Sequence, residues 1–284
     1  SQVAIASDRQ DKSVAEIKAA AETALNNAIR FSQNPTEQLQ FRAIKAITEV
    51  KLRQALRLSS ELLDARPHDR QAQGRHLNLL AQLNMFDEIV TLAFEFFERD
   101  GFDPTVTGRS IHTMIYSGNE QAVRDFLDLV NEHLERSRVA MYQAHRGLLW
   151  IGEVDHAREL HDQLLASDLT GSQIAHVRLR QLCAEGRVDE ARQLYEEAMV
   201  AFADRRSFPW LAANTMGYPD QGLESLHQFD ADNNLNALAG FLLYGTFDPQ
   251  PFPNLMAHLD IHGNETGTVM VLPYRCFRNE AQAQ

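Results

Sequence analysis

The chain has 284 residues, 44% of them hydrophobic, and a formal net charge of −12. The hydrophobic fraction is typical of a folded protein. The acidic balance argues against general nucleic-acid binding, because that function needs clustered Lys and Arg to neutralise phosphates. No run of eighteen apolar residues occurs, so the sequence predicts no membrane-spanning segment.

Helical character is dense from about residue 13 to about residue 203, with no strand-like alternation of any length. Helix-stop and turn signals divide this stretch into segments of about twelve to fifteen residues. These signals are Asn34-Pro35, Arg66-Pro67, Asn84, Asp103-Pro104, Ser117-Gly118-Asn119, Gly152, Gly171 and Gly186. The segments form pairs, which predicts a repeated helix–turn–helix unit.

A fixed period of 34 residues runs through these segments, since Gly118, Gly152 and Gly186 are spaced by that distance. Five residues after each glycine stands a small or apolar residue, and the same column continues in both directions. Its members are Ala21, Ala55, Ile89, Val123, Ala157, Ala191 and Ser225. A period of this length indicates an array of stacked units, each of which contacts only its neighbours.

The period, the turn glycines and the alanines Ala55, Ala157 and Ala191 resemble the tetratricopeptide repeat family, which is built from such helix pairs. Pro67, twelve positions after Ala55, and Tyr195, four after Ala191, also match the family. The resemblance implies an all-α fold, a right-handed superhelical solenoid of helix–turn–helix repeats with a non-repeat C-terminal cap.

The first helices depart from the family, which favours a tryptophan and a small residue where this chain has Met141 with His145 and Ala175 with Leu179. The repeats are therefore degenerate.

The chain divides into a polar tail (1–12), the repeat array (13–229), and a C-terminal helical cap with an extended tail (230–284). The array begins with a half-repeat at 13–35, because residues 1–12 are too short and polar to supply its first helix. That helix is either lost or replaced by a partner or an upstream domain. The half-repeat is a candidate surface for homo-oligomer formation.

The C-terminal part breaks the period. Residues 247–253 contain three prolines in five positions, which no helix interior tolerates, and residues 268–274 look extended. Together with the Leu-Pro-Tyr-Arg-Cys run that ends at Cys276, this segment resembles the tails of bacterial repeat proteins that follow winged-helix or cyclase-type regulatory domains. The resemblance implies a bacterial protein of either the cytoplasm or the periplasm.

The chain has two cysteines, Cys183 and Cys276, far apart in the sequence. Cys183 falls on the apolar face of a predicted helix, which favours a buried free thiol. A disulfide between the two cysteines is the alternative.

In tetratricopeptide arrays the first helix of each unit lines the concave face, and the resemblance therefore implies a peptide-binding groove. Its residues are Asn78, His112, Tyr116, Tyr142, Arg146, His176, Arg180, Trp210 and Asn214. Arg146 and Arg180 could hold carboxylates bidentately, which favours a peptide or protein partner with acidic groups. The alternative is that both arginines pair with acidic neighbours while the aromatic rings pack between helices.

No glycine-rich phosphate loop, Cys-x-x-Cys or His-Glu-x-x-His motif occurs. His258 and His262 are four residues apart but lack further metal ligands. We therefore expect no catalysis, no metal and no cofactor. The leading interpretation is a protein- or peptide-binding scaffold. The alternatives are a sensory or regulatory domain of a bacterial signalling or transcription regulator, and an all-helical enzyme with a site in the groove.

Overall fold

The computed structural model describes residues 14–49, 51–83, 85–167 and 169–202, with scattered positions between 212 and 254. Over these residues the chain consists of eleven α-helices and two short 3-10 helices, without a strand. The predicted all-α class is therefore confirmed. Residues 1–12, the two C-terminal histidines and nearly all of the expected cap at 230–284 lie outside the described residues.

The helices follow one another through short turns. They are α1 (Val14–Phe31), α2 (Pro35–Thr48), α3 (Leu52–Ala65), α4 (Arg70–Gln82), α5 (Phe86–Asp100), α6 (Pro104–Met114), α7 (Glu120–Val130), α8 (Arg138–Trp150), α9 (Val154–Leu165), α10 (Gly171–Ala184) and α11 (Val188–Ala201). The 3-10 segments Ile115–Ser117 and Asn131–Arg136 continue α6 and α7.

Alternate helices begin with the same kind of capping residue. The Asp69 side chain, for example, accepts a hydrogen bond of 3.0 Å from the Ala72 N–H at the start of α4. The caps of α2, α4, α6, α8 and α10 are Asn34, Asp69, Asp103, Ser137 and Thr170. Their successive spacings are 35, 34, 34 and 33 residues. Side-chain caps of this type stabilise a helix by about 1 kcal/mol each. The capping residues therefore recur with nearly the same period as the turn glycines.

The glycines that define the period each follow one of these capped helices. Gly118, Gly152 and Gly186 have φ angles of 71°, 83° and 71°. Glycine adopts this left-handed conformation without the steric cost of a Cβ. A Cβ at any of the three would meet nothing within 4 Å, so the demand for glycine is conformational and does not come from crowding.

The capped helices form a continuous row, because α4 contacts α6, α6 contacts α8, and α8 contacts α10. The intervening helices pack against this row: α5 contacts α4 and α6, and α9 contacts α8 and α10. We call α4, α6, α8 and α10 the first helices of their units, and α3, α5, α7, α9 and α11 the second helices.

The column of small and apolar residues lies in the core that this packing creates. Its members Ala55, Ile89, Val123, Ala157 and Ala191 are each at most 1% exposed. Ala21, in the same column of the sequence, is exposed on α1. Burial of the column therefore runs from α3 to α11 and does not extend to α1.

A buried carboxylate at the end of α5 joins this helix to the start of α4, the first helix of the same unit. The Asp100 side chain is 2% exposed and lies within hydrogen-bond distance of His68 (2.5 Å), Arg70 (2.8 Å), Gln73 (2.6 Å) and Arg99 (3.0 Å). Burial by itself would raise the pKa of Asp100, but the hydrogen bonds from Arg99, His68 and Gln73 and the charge of Arg70 hold that pKa well below its usual range.

Cys183 lies in α10 and is 7% exposed. It is disulfide-bonded, so the expectation of a buried free thiol at this position is wrong. Cys276 lies outside the described residues.

Candidate ligand-binding site

Six of the nine predicted groove residues come together along the row of first helices. They are His112 and Tyr116 from α6 and its 3-10 extension, Tyr142 and Arg146 from α8, and His176 and Arg180 from α10. We call this set the Arg146 cluster. Asn78 on α4 is half-buried and makes no side-chain hydrogen bond within the described residues. Trp210 and Asn214 lie outside the described residues.

Arg146 reaches from α8 to two side chains of the preceding unit. Its Nη1 donates to His112 Nδ1 over 3.0 Å and its Nη2 donates to Tyr116 Oη over 3.2 Å. The guanidinium carbon lies 5.3 Å from the centroid of the Tyr116 ring. The rings of His112 and Tyr116 meet edge to face, with centroids 5.4 Å apart. These contacts orient the Arg146 guanidinium and link α8 to the preceding unit.

A similar set of contacts joins α8 to α10, with a tyrosine on α8 in place of the arginine. Tyr142 Oη lies 3.1 Å from His176 Nδ1, and His176 Nε2 lies 3.1 Å from Thr215 Oγ1. The Arg180 guanidinium carbon lies 4.5 Å from the centroid of the Tyr142 ring, within the range of a cation–π contact. The phenol of Tyr142 is thus fixed at both its hydroxyl and its ring face.

A further histidine, His145, lies beneath this surface. It is fully buried, and its Nε2 lies 3.0 Å from Gln181 Oε1 on α10. Gln181 Nε2 in turn donates to Glu185 Oε1 over 2.8 Å. His145 was recognised in the sequence only as a departure from the family pattern, and no spacing pointed to its pairing with Gln181.

The three histidines share an environment that disfavours protonation. Burial holds the pKa of His112 and His176 well below 6.5, and the positive charges of Arg146 and Arg180 lower both further. Burial and the Arg180 charge lower the pKa of His145 to about 3, against a smaller opposing effect of its hydrogen bond to Gln181. At neutral pH the histidines are uncharged, and the charged members of the cluster are the guanidinium groups of Arg146 and Arg180.

The two arginines differ in how far they reach solvent. Arg180 is 2% exposed, whereas Arg146 and Tyr142 are half-buried. Arg146 is therefore the more accessible of the two arginines, while Arg180 lies deeper against the Tyr142 ring. The sequence pattern gave both arginines the same expected role and did not predict this difference in burial.

Comparisons of the chain with models of protein families, with curated proteins and with solved structures found no match. The likeness to tetratricopeptide repeats is a prediction from the sequence. None of the described helices is long and apolar enough to cross a membrane. Among the described residues, no group of three or more His, Cys, Asp and Glu side chains could hold a metal ion.

Proposed function

We propose that this chain is a protein- or peptide-binding scaffold, a right-handed solenoid of tetratricopeptide-like repeats whose concave face carries the Arg146 cluster. The row of first helices, the recurring caps and the buried column support a repeat array. The partner segment bears an acidic side chain or a C-terminal carboxylate, because the cluster combines fixed guanidinium groups with neutral hydrogen-bonding groups.

The observation that carries this proposal is the position of Arg146. Its guanidinium is oriented by His112 Nδ1 and the Tyr116 hydroxyl, and a guanidinium is the side-chain group that binds a carboxylate bidentately. Because those contacts already fix the side chain, binding costs less conformational entropy than with a mobile arginine. Its half-buried position leaves part of the side chain in contact with solvent.

The neighbouring groups suit the rest of a peptide. Tyr142 is half-buried, its position is set by His176 and Arg180, and its ring is suited to contact an apolar side chain of the peptide. The positive charge of Arg180 adds a favourable potential without requiring contact with the ligand. A charged hydrogen bond of this kind contributes on the order of 1.5–3 kcal/mol.

The test compares two forms of the same peptides, one with a free C-terminal carboxylate and one amidated. A peptide library with free C termini is displayed against the wild-type chain, and the enriched peptides are then synthesised in both forms. We expect amidation and Arg146→Gln each to weaken binding by about tenfold or more, the ratio that corresponds to 1.4 kcal/mol. Fluorescence anisotropy gives the dissociation constants.

Arg158→Gln on α9 is the matched control, since it removes an arginine from a different surface and should leave the dissociation constants unchanged. Arg146→Lys keeps the charge but not the planar fork, and should recover only part of the affinity. Equal binding of carboxylate and amide peptides, or no loss in Arg146→Gln, would overturn the assignment of this cluster. Arg180 is left unchanged, because its burial would confuse loss of binding with loss of folding.

A further inference from the structure

A second surface, away from the Arg146 cluster, is an open cavity of about 720 Å³ between α3, α4 and α5. We call it the α3–α5 groove. It is lined by Arg53, Leu56, Arg57, Ser60, His76, Leu80, Leu83, Met85, Glu88 and Leu92. Of the apolar members, Leu80 is buried while the other four, Leu56, Leu83, Met85 and Leu92, are half-buried. The groove therefore shows apolar side chains to solvent.

A second cavity occupies the equivalent place three units later in the chain. A cavity of about 680 Å³ lies between α9, α10 and α11, and eight of its lining residues stand 102 residues, or three periods, after eight of those that line the first. We call it the α9–α11 groove. Three positions keep their character: Leu80, Glu88 and Leu92 correspond to Leu182, Glu190 and Leu194.

Three other positions change from apolar to charged. Leu56, Leu83 and Met85 in the α3–α5 groove correspond to Arg158, Glu185 and Arg187 in the α9–α11 groove. The repeat thus accommodates charged side chains at these positions. Its fold does not require the leucines and the methionine, so their presence in the α3–α5 groove needs another reason.

The charged residues of the α9–α11 groove bind one another. Arg158 Nε lies 3.0 Å from Glu185 Oε1, and Arg187 Nη1 lies 3.0 Å from Glu185 Oε2. Arg187 Nη2 lies 2.6 Å from Glu190 Oε2. This network covers the groove with groups that water solvates well, whereas an open apolar surface of this kind marks an interaction site.

The rim of the α3–α5 groove carries positive charge. Arg53 and Arg57 are four residues apart on α3, so they lie on one helix face, and both are exposed. Neither forms an ion pair with any of the described residues. In a chain of net charge −12, two such arginines beside an apolar groove favour an acidic occupant. Glu88 lies on the opposite, α5 side, so one edge of the groove is basic and the other carries an acidic residue.

The floor of the groove is neutral. His76 is 7% exposed, and its Nδ1 lies 3.1 Å from Ser59 Oγ. Burial lowers the pKa of His76 to about 4, so no charge opposes apolar side chains at neutral pH.

We propose that the α3–α5 groove binds an amphipathic helix of a partner protein, with apolar side chains toward Leu56, Leu83 and Met85 and Asp or Glu side chains toward Arg53 and Arg57. A helix with apolar residues at i, i+3 or i+4, and i+7 fits a groove formed by neighbouring helices. This site is separate from the Arg146 cluster, and its existence does not depend on the function proposed above.

The test uses a display library of helical peptides of about 16 residues. Selection is made on the wild-type chain, with counter-selection on a variant carrying Leu56→Arg, Leu83→Glu and Met85→Arg, which copies the α9–α11 groove. We expect enrichment of peptides with the apolar spacing and acidic flanks. The triple variant should bind them at least tenfold more weakly, and so should Arg53→Glu/Arg57→Glu.

Three controls make the result decisive. Circular dichroism and thermal melting establish that the triple variant folds, and Met85→Arg alone replaces it if it does not. Arg158→Gln and Arg146→Gln should leave the selected peptides bound, which separates this site from the Arg146 cluster. Selected peptides should lose affinity when their acidic residues are replaced by lysine.

Other occupants give different results, and each would overturn the proposal. If a second copy of this chain fills the groove, light scattering will show a wild-type dimer that the triple variant abolishes. If the groove takes a small apolar carboxylate, dodecanoate will bind and no peptide will be enriched. Peptides bound equally by wild type and triple variant would also refute the site.

Discussion

The Arg146 guanidinium on α8 donates to His112 Nδ1 on α6, one period earlier in the chain, over 3.0 Å. Since arginine carries only donors, this bond requires an unprotonated Nδ1 and hence a neutral His112. Burial and the surrounding arginines hold the pKa of His112 low, which favours that same state. The first helices α6 and α8 are therefore linked by a contact that depends on a neutral His112.

We expect the free energy of unfolding to fall as pH falls below about 6.5, the pKa of an unfolded histidine. A histidine whose pKa is depressed on folding contributes stability above that value and loses it as pH falls toward the folded pKa. For His76, with a folded pKa of about 4, the loss by pH 4.5 is about 2–3 kcal/mol. Urea unfolding followed by circular dichroism at a series of pH values measures it.

His76→Gln should flatten this pH dependence, because it removes the buried histidine whose folded pKa is about 4. Glu49, Glu185 and Glu190, whose pKa values are lowered in the folded chain, add to the slope only near pH 4.5, so the difference between wild type and His76→Gln at pH 5 to 6 reports the histidine. Stability that stays constant from pH 7 to pH 4.5 would contradict neutral, buried histidines.

Asp100→Asn should destabilise the chain by about 2–3 kcal/mol, because it removes the charge that Arg70 and Arg99 surround in a buried position. Both arginines are partly exposed and can be hydrated again, which limits the loss. Glu98→Gln, an exposed change on the same helix, is the control and should alter stability by less than about 0.5 kcal/mol. Chemical denaturation at neutral pH gives both values, and equal effects would refute the role of Asp100.

Two Gly→Ala substitutions should have opposite effects. Gly186→Ala places a Cβ at a φ of 71° and should destabilise the chain by about 1–2 kcal/mol. Gly74→Ala lies inside α4, where a Cβ would approach Arg109 no closer than 3.9 Å, and should stabilise by about 0.5–1 kcal/mol. Thermal melts of the two variants show directly whether each substitution lowers or raises the stability of the chain. Gly186→Asn should be tolerated better than Gly186→Ala, because asparagine enters the left-handed region more readily.

Ser137→Ala should destabilise the chain by about 1 kcal/mol, since the Ser137 hydroxyl caps α8 by accepting from the Ala140 N–H. Ser137→Asp retains the cap and adds a negative charge at the helix N-terminus, so it should be at least as stable as the wild type. Ser60→Ala, an exposed change inside α3, provides a comparison outside the cap positions. Equal stability of all three variants would show that the recurring caps are not needed.

Much of the helical organisation could be predicted because its causes are local. Helix starts, turn glycines and the buried column depend on neighbours within one or two units, and these signals repeat with the period. Gly152 in a left-handed turn and Ala157 in the core are examples. The column was less informative at Ala21, which is exposed on α1, because burial needs neighbours on both sides of a unit.

The candidate site could be predicted only as a set of positions along one row. The sequence placed His112, Arg146 and Arg180 in the same register, and the structure has Arg146 bonded to His112 and Arg180 stacked on Tyr142. The exposure of each arginine depends on its side-chain conformation and on the spacing between helices. The repeat period in the sequence determines neither of these quantities.

The sequence by itself determined the all-helical class, the 34-residue period and the residues that turn and cap the helices, since each follows from local backbone and side-chain preferences. Only the tertiary structure decided that Asp100 lies beside Arg70 of the neighbouring helix, that Arg180 is buried while Arg146 is half-buried, and that Leu56 and Arg158 occupy equivalent grooves of opposite character. Those features arise where side chains distant in the chain come within a few ångströms, and the packing of whole helices sets those distances.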